Sequence, residues 1–224
     1  LQVLLEKTSF RIRVLTKNAD VGSDGWIEFL AKHKDRFIIG LSTGSLDDDW
    51  SRKMELGTSR PSERFAALAN LQKAGVPTFG MLCPVFPDML EDGSIEKMID
   101  LINPNLVEHI WAEPYNARAN WRLVRDSYAP GSQAFEWFTN VYEHRMTPLW
   151  SKYATDLYRR LHAHAVKGEW VNKLRYLLYE DKITAADSME FRGLEGVLLQ
   201  SKPGEDGYSQ NPNIMSLQLQ EIGR

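Results

Sequence analysis

The side chains best suited to chemistry stand at the carboxyl ends of short apolar runs. Thr16 and Lys17 follow one run, Ser42 and Thr43 a second, Cys83, Pro84 and Val85 a third, and Glu113 and Asn116 a fourth. Lys17 offers a cation to a carboxylate, and Ser42 a hydroxyl to another hydroxyl or a carboxylate. Glu113 or Asn116 suits an amine, a ribose or a base. Each of them, taken alone, also fits a solvated loop residue. Cys83 reads either as a small apolar filler at the end of a buried strand or as a thiol donating a hydrogen atom or a proton. No self-sufficient catalytic motif accompanies them: the chain has no CxxC, HExxH or GxSxG and no phosphate-cradling glycine loop. His162 and His164 are two apart and face different ways on a helix, while His33, His109 and His144 have no sequence partner. The run Asp47-Asp48-Asp49 reads as the cap of a short helix at 48–54, because three adjacent carboxylates on a helix cannot converge on one ion.

What positions these residues is a repeating pattern. Residues 10–15, 37–41, 78–82 and 107–111 read as strands, and 78–82 ends at the rigid pair Pro84 and Pro87. The arginines of 10–15 give that strand an edge character. Between them lie helical stretches at 26–34, where Asp24 is a candidate cap, and at 61–74, with Pro61 in the first turn and Gly75 as a left-handed stop. A third begins at Gly93 or Ser94. The series βαβαβαβ belongs to a parallel barrel or an open parallel sheet, whose ligands bind beyond the strands' carboxyl ends. After residue 125 the pattern turns helical. A helix is expected at 132–145, and another from Thr147-Pro148 to Gly168 with Trp150, Tyr153, Leu157 and Leu161 on its core face. One more is expected at 170–179, then a last strand at 194–200 and a mobile tail at 202–213. The division expected is a partial barrel at 1–125, a helical region at 126–183 and a weakly structured tail at 184–224.

Composition narrows the function classes. The formal net charge of −3 gives no global attraction for nucleic acid or anionic membranes. Arg159, Arg160, Lys167, Lys173 and Arg175 form the best local basic patch, which also reads as a solvated helical face. No apolar run is long enough to span a bilayer. The single cysteine excludes an internal disulfide and suits a reducing, cytoplasmic setting.

Three segments resemble a known family: VLTKNADV at 14–21, the stretch at 39–87 that contains ELGTSRPSERFAALANLQKAGVPT, and AEPYNARA at 112–119. They are similar to radical S-adenosylmethionine (radical SAM) enzymes of the spore photoproduct lyase-like group. The likeness covers roughly 10–119 and is most specific in the loop and helix that carry Glu55 and Arg64. Leu56 and Phe65 stand where the family pattern has Pro and Leu. The resemblance implies a partial TIM-like (β/α)6 barrel, strands three to six, followed by carboxyl-terminal helices. It implies S-adenosylmethionine at the strand ends, with Lys17 and Ser42 near its methionyl and ribose parts and Pro84 and Val85 near its adenine. Glu55 and Arg64 are expected either to pair with each other or to touch the ligand. The family's [4Fe–4S] cluster is held by three closely spaced cysteines; this chain has one, on another strand, so the cluster loop is expected upstream of Leu1. The expected function is the carboxyl-terminal portion of such an enzyme, with lyase as its expected class, inactive by itself and acting on an unidentified substrate. The alternatives are a cluster-free binding or scaffold module and an ordinary TIM-barrel lyase or hydrolase. An open edge at the first strand leads to an expectation of self-association.

Overall fold

The computed structural model describes residues 1–91, 93–116, 120–178, 183–191, 194 and 197–200. In chain order the main elements are α1 (Gln2–Lys7), β1 (Ile12–Thr16), α2 (Asp24–Lys32), β2 (Phe37–Ser42), α3 (Asp48–Met54), α4 (Pro61–Lys73), β3 (Thr78–Val85) and α5 (Ser94–Ile102). They continue with β4 (Ile110–Pro114), α6 (Trp121–Asp126), α7 (Gln133–Phe138), α8 (Thr147–Lys167), β5 (Leu174–Leu178), α9 (Ala185–Phe191) and β6 (Val197–Gln200). The chain divides into two compact units, Leu1–Cys83 with Ser94–Ile110, and Pro84–Gly93 with Trp111–Arg224.

The first unit is a parallel α/β layer. β1 runs parallel to β2 with Val14 opposite Ile39, and β2 parallel to β3 with Gly40 opposite Phe79. The Glu108 N–H donates to the Thr78 carbonyl and the Gly80 N–H to that of His109, which ties residues 108 and 109 to β3. β2 is buried at every position, as a central parallel strand with both faces covered should be. β1 alternates between buried Ile12 and exposed Arg13 and Leu15, and its described pairing is with β2. Leu30 of α2, Leu68 and Leu71 of α4, and Ile95, Met98 and Ile99 of α5 are buried, and α4 packs on β2. Gly40 meets a steric need: a Cβ there would stand 2.3 Å from Cζ of Phe79, so that ring can lie over the strand only if the position has no side chain.

Local signals place the first unit's helix ends. The Asp47 carboxylate accepts from the N–H groups of Asp49 and Trp50, Pro61 occupies the first turn of α4, and Gly75 takes φ +69° after it. Asp24 lies in the first turn of α2, whose cap position is Ser23.

The second unit is led by α8, with Trp150, Leu157 and Leu161 fully buried and Tyr153 nearly so. The helix expected at 132–145 stops at Phe138 and passes into a π turn, Thr139–Glu143. The stretch 170–179 is not helical where described. It is a 3-10 turn, Val171–Lys173, followed by β5, in which Leu174, Tyr176 and Leu178 are buried and Arg175 and Leu177 half-exposed. That period of two is a strand's, and β5 pairs in parallel with β6, Tyr176 opposite Leu198.

Two other strands depart from expectation. β3 runs on through Pro84 to Val85, and β4 starts at Ile110, so that Val107 is buried ahead of the strand. The expected tail at 202–213 lies outside the described residues. Among the described residues no helix is long and apolar enough to cross a membrane.

Candidate functional site

In the first unit the strand-end residues converge on a buried arginine. Arg64 projects from the first turns of α4, and its side chain is wholly buried. Its guanidinium donates to the Ser42 carbonyl at 2.9 Å, the Ser59 carbonyl at 2.7 Å, the Thr58 hydroxyl at 2.7 Å and a carboxylate oxygen of Glu55. The other Glu55 oxygen accepts from Lys17, just past the end of β1. Burial works against the charged form of Glu55. The hydrogen bond and charge of Lys17, and then those of Arg64, outweigh it, and the carboxyl is held below its usual range. One carboxylate thus joins two cations.

The loop that presents Glu55 is built from local signals. Glu55 follows the last turn of α3, and Gly57 takes φ +76°, which turns the chain back. The Thr58 N–H and hydroxyl both donate to the Glu55 carbonyl. The Ser59 N–H donates to the Lys17 carbonyl at 3.1 Å, and the Ser59 hydroxyl accepts from the Ala19 N–H at 2.8 Å. Loop and strand exit are therefore fastened through backbone as well as side chains.

Ser42 and Thr43 are both buried at the exit of β2. The Ser42 hydroxyl donates to the Cys83 carbonyl at 2.8 Å, so toward any ligand it can act only as an acceptor. The Thr43 N–H donates to the Met81 carbonyl, continuing the ladder.

In the second unit the remaining candidates lie around Tyr115. Pro84 is half-buried, and next to it the Val85 carbonyl accepts from the Tyr115 N–H at 3.0 Å and from the Tyr153 hydroxyl. Burial pushes the Tyr153 hydroxyl far up in pKa, which keeps it a neutral donor. The Tyr115 carbonyl accepts from the Trp150 indole at 2.8 Å. Asn116 donates to buried Glu113 at 2.8 Å. Glu113 and Asn116 are thus brought together, and Asn116 supplies one of the carboxylate's partners.

Of the predicted patch, Arg159 forms ion pairs with Asp156 and Glu190, and Arg175 donates to the carbonyls of Asn172 and Leu174. Sequence reasoning left open whether Glu55 and Arg64 pair with each other; they do. It missed the share that Lys17 takes in that pair, and the role of Tyr153 as anchor of the β3 exit. The signal for the first was the presence of Lys17, Glu55 and Arg64 in separate polar stretches, each at an element's end. No sequence signal marked the second, because a tyrosine on a core stripe looks the same with or without a buried partner. Compared with family models, curated proteins and solved structures, the chain matches none.

Proposed function

We propose that this chain supplies strand ends three to six of a partial TIM-like radical SAM barrel, where they hold S-adenosylmethionine. The observation that carries the reading is the network around Arg64. Lys17, Ser42, Glu55 and Arg64 come from separate segments of the sequence, and all four belong to one bonded cluster in one unit. The residues present fit the methionyl end of such a cofactor. Lys17 has three N–H donors, gives one to Glu55, and keeps 31% of its side chain exposed. Ser42 adds an acceptor for a ribose hydroxyl and Thr43 a neighbouring backbone edge. The other unit, taken by itself, offers an apolar edge at Pro84 and Val85 and an acceptor and an amide at Glu113 and Asn116.

The cluster is a different matter. One cysteine cannot supply three thiolates, and among the described residues no group of three His, Cys, Asp or Glu side chains could hold a metal. These residues do not fit an iron–sulfur cluster. In the proposal its ligands come from outside the 224 residues, and the chain by itself binds the cofactor without cleaving it. When bound, S-adenosylmethionine would supply the radical chemistry of such an enzyme. The residues of this chain would bind, orient and exclude water. The second reading, a cluster-free binding module, is favoured by the same donor set and predicts the same binding without any redox partner.

Calorimetric titration of S-adenosylmethionine into the chain and its Lys17→Ala variant tests the reading. A lost charged hydrogen bond costs about 1.5–3 kcal/mol, so the variant should bind roughly ten-fold or more weakly, and Lys17→Arg should restore much of the loss. No saturable binding, or equal affinity in Lys17→Ala, would remove the strand ends from a cofactor site.

A further inference from the structure

Glu55 divides its carboxylate between two kinds of neighbour. One oxygen accepts from Arg64 and, at 3.2 Å, from the Ser51 hydroxyl, and both partners are buried. The other oxygen accepts from Lys17, whose side chain is half-buried. Lys17 thus uses one of its three N–H donors, and the Glu55 oxygen that it meets keeps a lone pair. The pair is held ready. Arg64 and Ser51 fix Glu55 from behind, and the Ser59 N–H ties the same loop to the Lys17 carbonyl, so the two groups need little ordering when a ligand arrives.

The charges of the three residues do not balance. Arg64 and Lys17 bring two cations, and Glu55 brings one anion. The Glu55 carboxyl is held below its usual range and is ionised at neutral pH. Wholly buried Arg64 gives its other hydrogen bonds to neutral oxygens of Ser42, Ser51, Thr58 and Ser59, so Glu55 answers its charge. Neutralising Arg64 alone would need no Lys17. The surplus positive charge falls on Lys17, the member nearest water. A carboxylate from solution is attracted there, but a plain anion also stands beside Glu55 and is repelled by it. A plain ammonium meets Lys17 in the same way. A ligand that carries both groups on one carbon escapes both penalties. Its carboxylate accepts from the two remaining Lys17 donors, and its ammonium donates to the lone pair left on Glu55.

We infer that Glu55 is a specificity-determining residue of the Lys17 site: beside Lys17 it makes the site select an α-amino acid head group over a plain carboxylate or a plain amine. The inference rests on the reading that the strand ends hold a ligand, and it names the head group that they recognise.

The test is a titration of the full chain at neutral pH, followed by NMR chemical shifts, with three probes that share one side chain. They are L-methionine, 4-(methylthio)butanoate, which lacks the ammonium, and 3-(methylthio)propylamine, which lacks the carboxylate. Methionine should bind saturably, and each of the other two roughly ten-fold or more weakly. Glu55→Gln should cut the preference for methionine over the carboxylate to roughly three-fold or less, whereas a merely structural role would leave that ratio unchanged. Glu55→Gln also weakens the fold, and the three probes on the wild-type chain decide the question without it. Either truncated probe binding as tightly as methionine, an unchanged ratio in folded Glu55→Gln, or no saturable methionine binding up to about 50 mM would each overturn the inference. The cofactor reading fails separately. Methionine selected without any binding of S-adenosylmethionine would overturn that reading alone. S-adenosylmethionine bound with no preference among the three probes would overturn this inference alone.

Discussion

Replacing Glu55 by glutamine removes one negative charge and almost no volume. In the wild type that carboxylate answers two cations in different surroundings: Arg64 is fully buried, whereas Lys17 keeps 31% of its side chain in water. Lys17 can recover its hydration after the change, and exposed or partly exposed pairs contribute only about 0–1 kcal/mol. Arg64 cannot. Breaking a buried ion pair by deleting one partner costs about 3–5 kcal/mol, because the remaining charge stays in a low-dielectric site. Here the guanidinium keeps neutral acceptors, the carbonyls of Ser42 and Ser59 and the hydroxyl of Thr58. The cost should therefore fall at the lower end, about 3 kcal/mol. That is a large share of the roughly 5–15 kcal/mol that holds a domain folded. Urea unfolding should show a lower midpoint at unchanged slope, and the melting temperature should drop by roughly 6–12 °C. Arg64→Met in the same background should restore part of the loss, because it removes the orphaned charge. A Glu55→Gln loss under about 1 kcal/mol, or a double variant less stable than the single, would refute the idea that Glu55 neutralises a buried cation.

Two further outcomes follow from the same bonds. The native pKa of Glu55 lies below its ordinary 4.5, so the unfolded chain binds the proton more readily; this share of stability is present above about pH 4.5 and is lost as pH falls toward the native value. Urea midpoints measured between about pH 3 and 6 should slope less steeply in Glu55→Gln than in wild type, and equal slopes would count against the assignment. Tyr153→Phe removes a hydroxyl that donates to the Val85 carbonyl, but the Tyr115 N–H still donates to that carbonyl at 3.0 Å. The loss should be about 1 kcal/mol, with faster hydrogen exchange at the Tyr115 amide; unchanged exchange there would contradict it.

Features set by nearby residues were legible in the sequence. The Asp47 cap, Pro61 at the start of α4 and the left-handed Gly75 each depend on a few neighbouring residues, and each was placed correctly. β5 was misread as helix because Trp170 to Tyr179 is densely apolar, and the alternation at Leu174, Tyr176 and Leu178 is only five residues long. β4 was set three residues early because buried Val107 looks like a strand residue from sequence. The depth of Arg64 was illegible for a different reason. Arginine is seldom buried unless paired, and three of its described partners are two carbonyls and a hydroxyl that carry no mark in the sequence.

The bonds of the first unit also differ in how much chain they close. Arg64 reaches partners 5 and 22 positions away, Lys17 reaches Glu55 across 38, and Arg11 reaches Glu108 across 97. A chain made from its amino terminus has every partner of the first two once Arg64 has been added, and loops of that length close at small entropic cost. The Arg11 clasp must wait for Glu108, which follows the excursion Pro84–Gly93 into the other unit. The buried arginine is therefore available as an early lock on the exit of β2, and the exposed Arg11–Glu108 pair as a late one. During synthesis the strand ends can be fastened to one another while the layer that carries them is still incomplete.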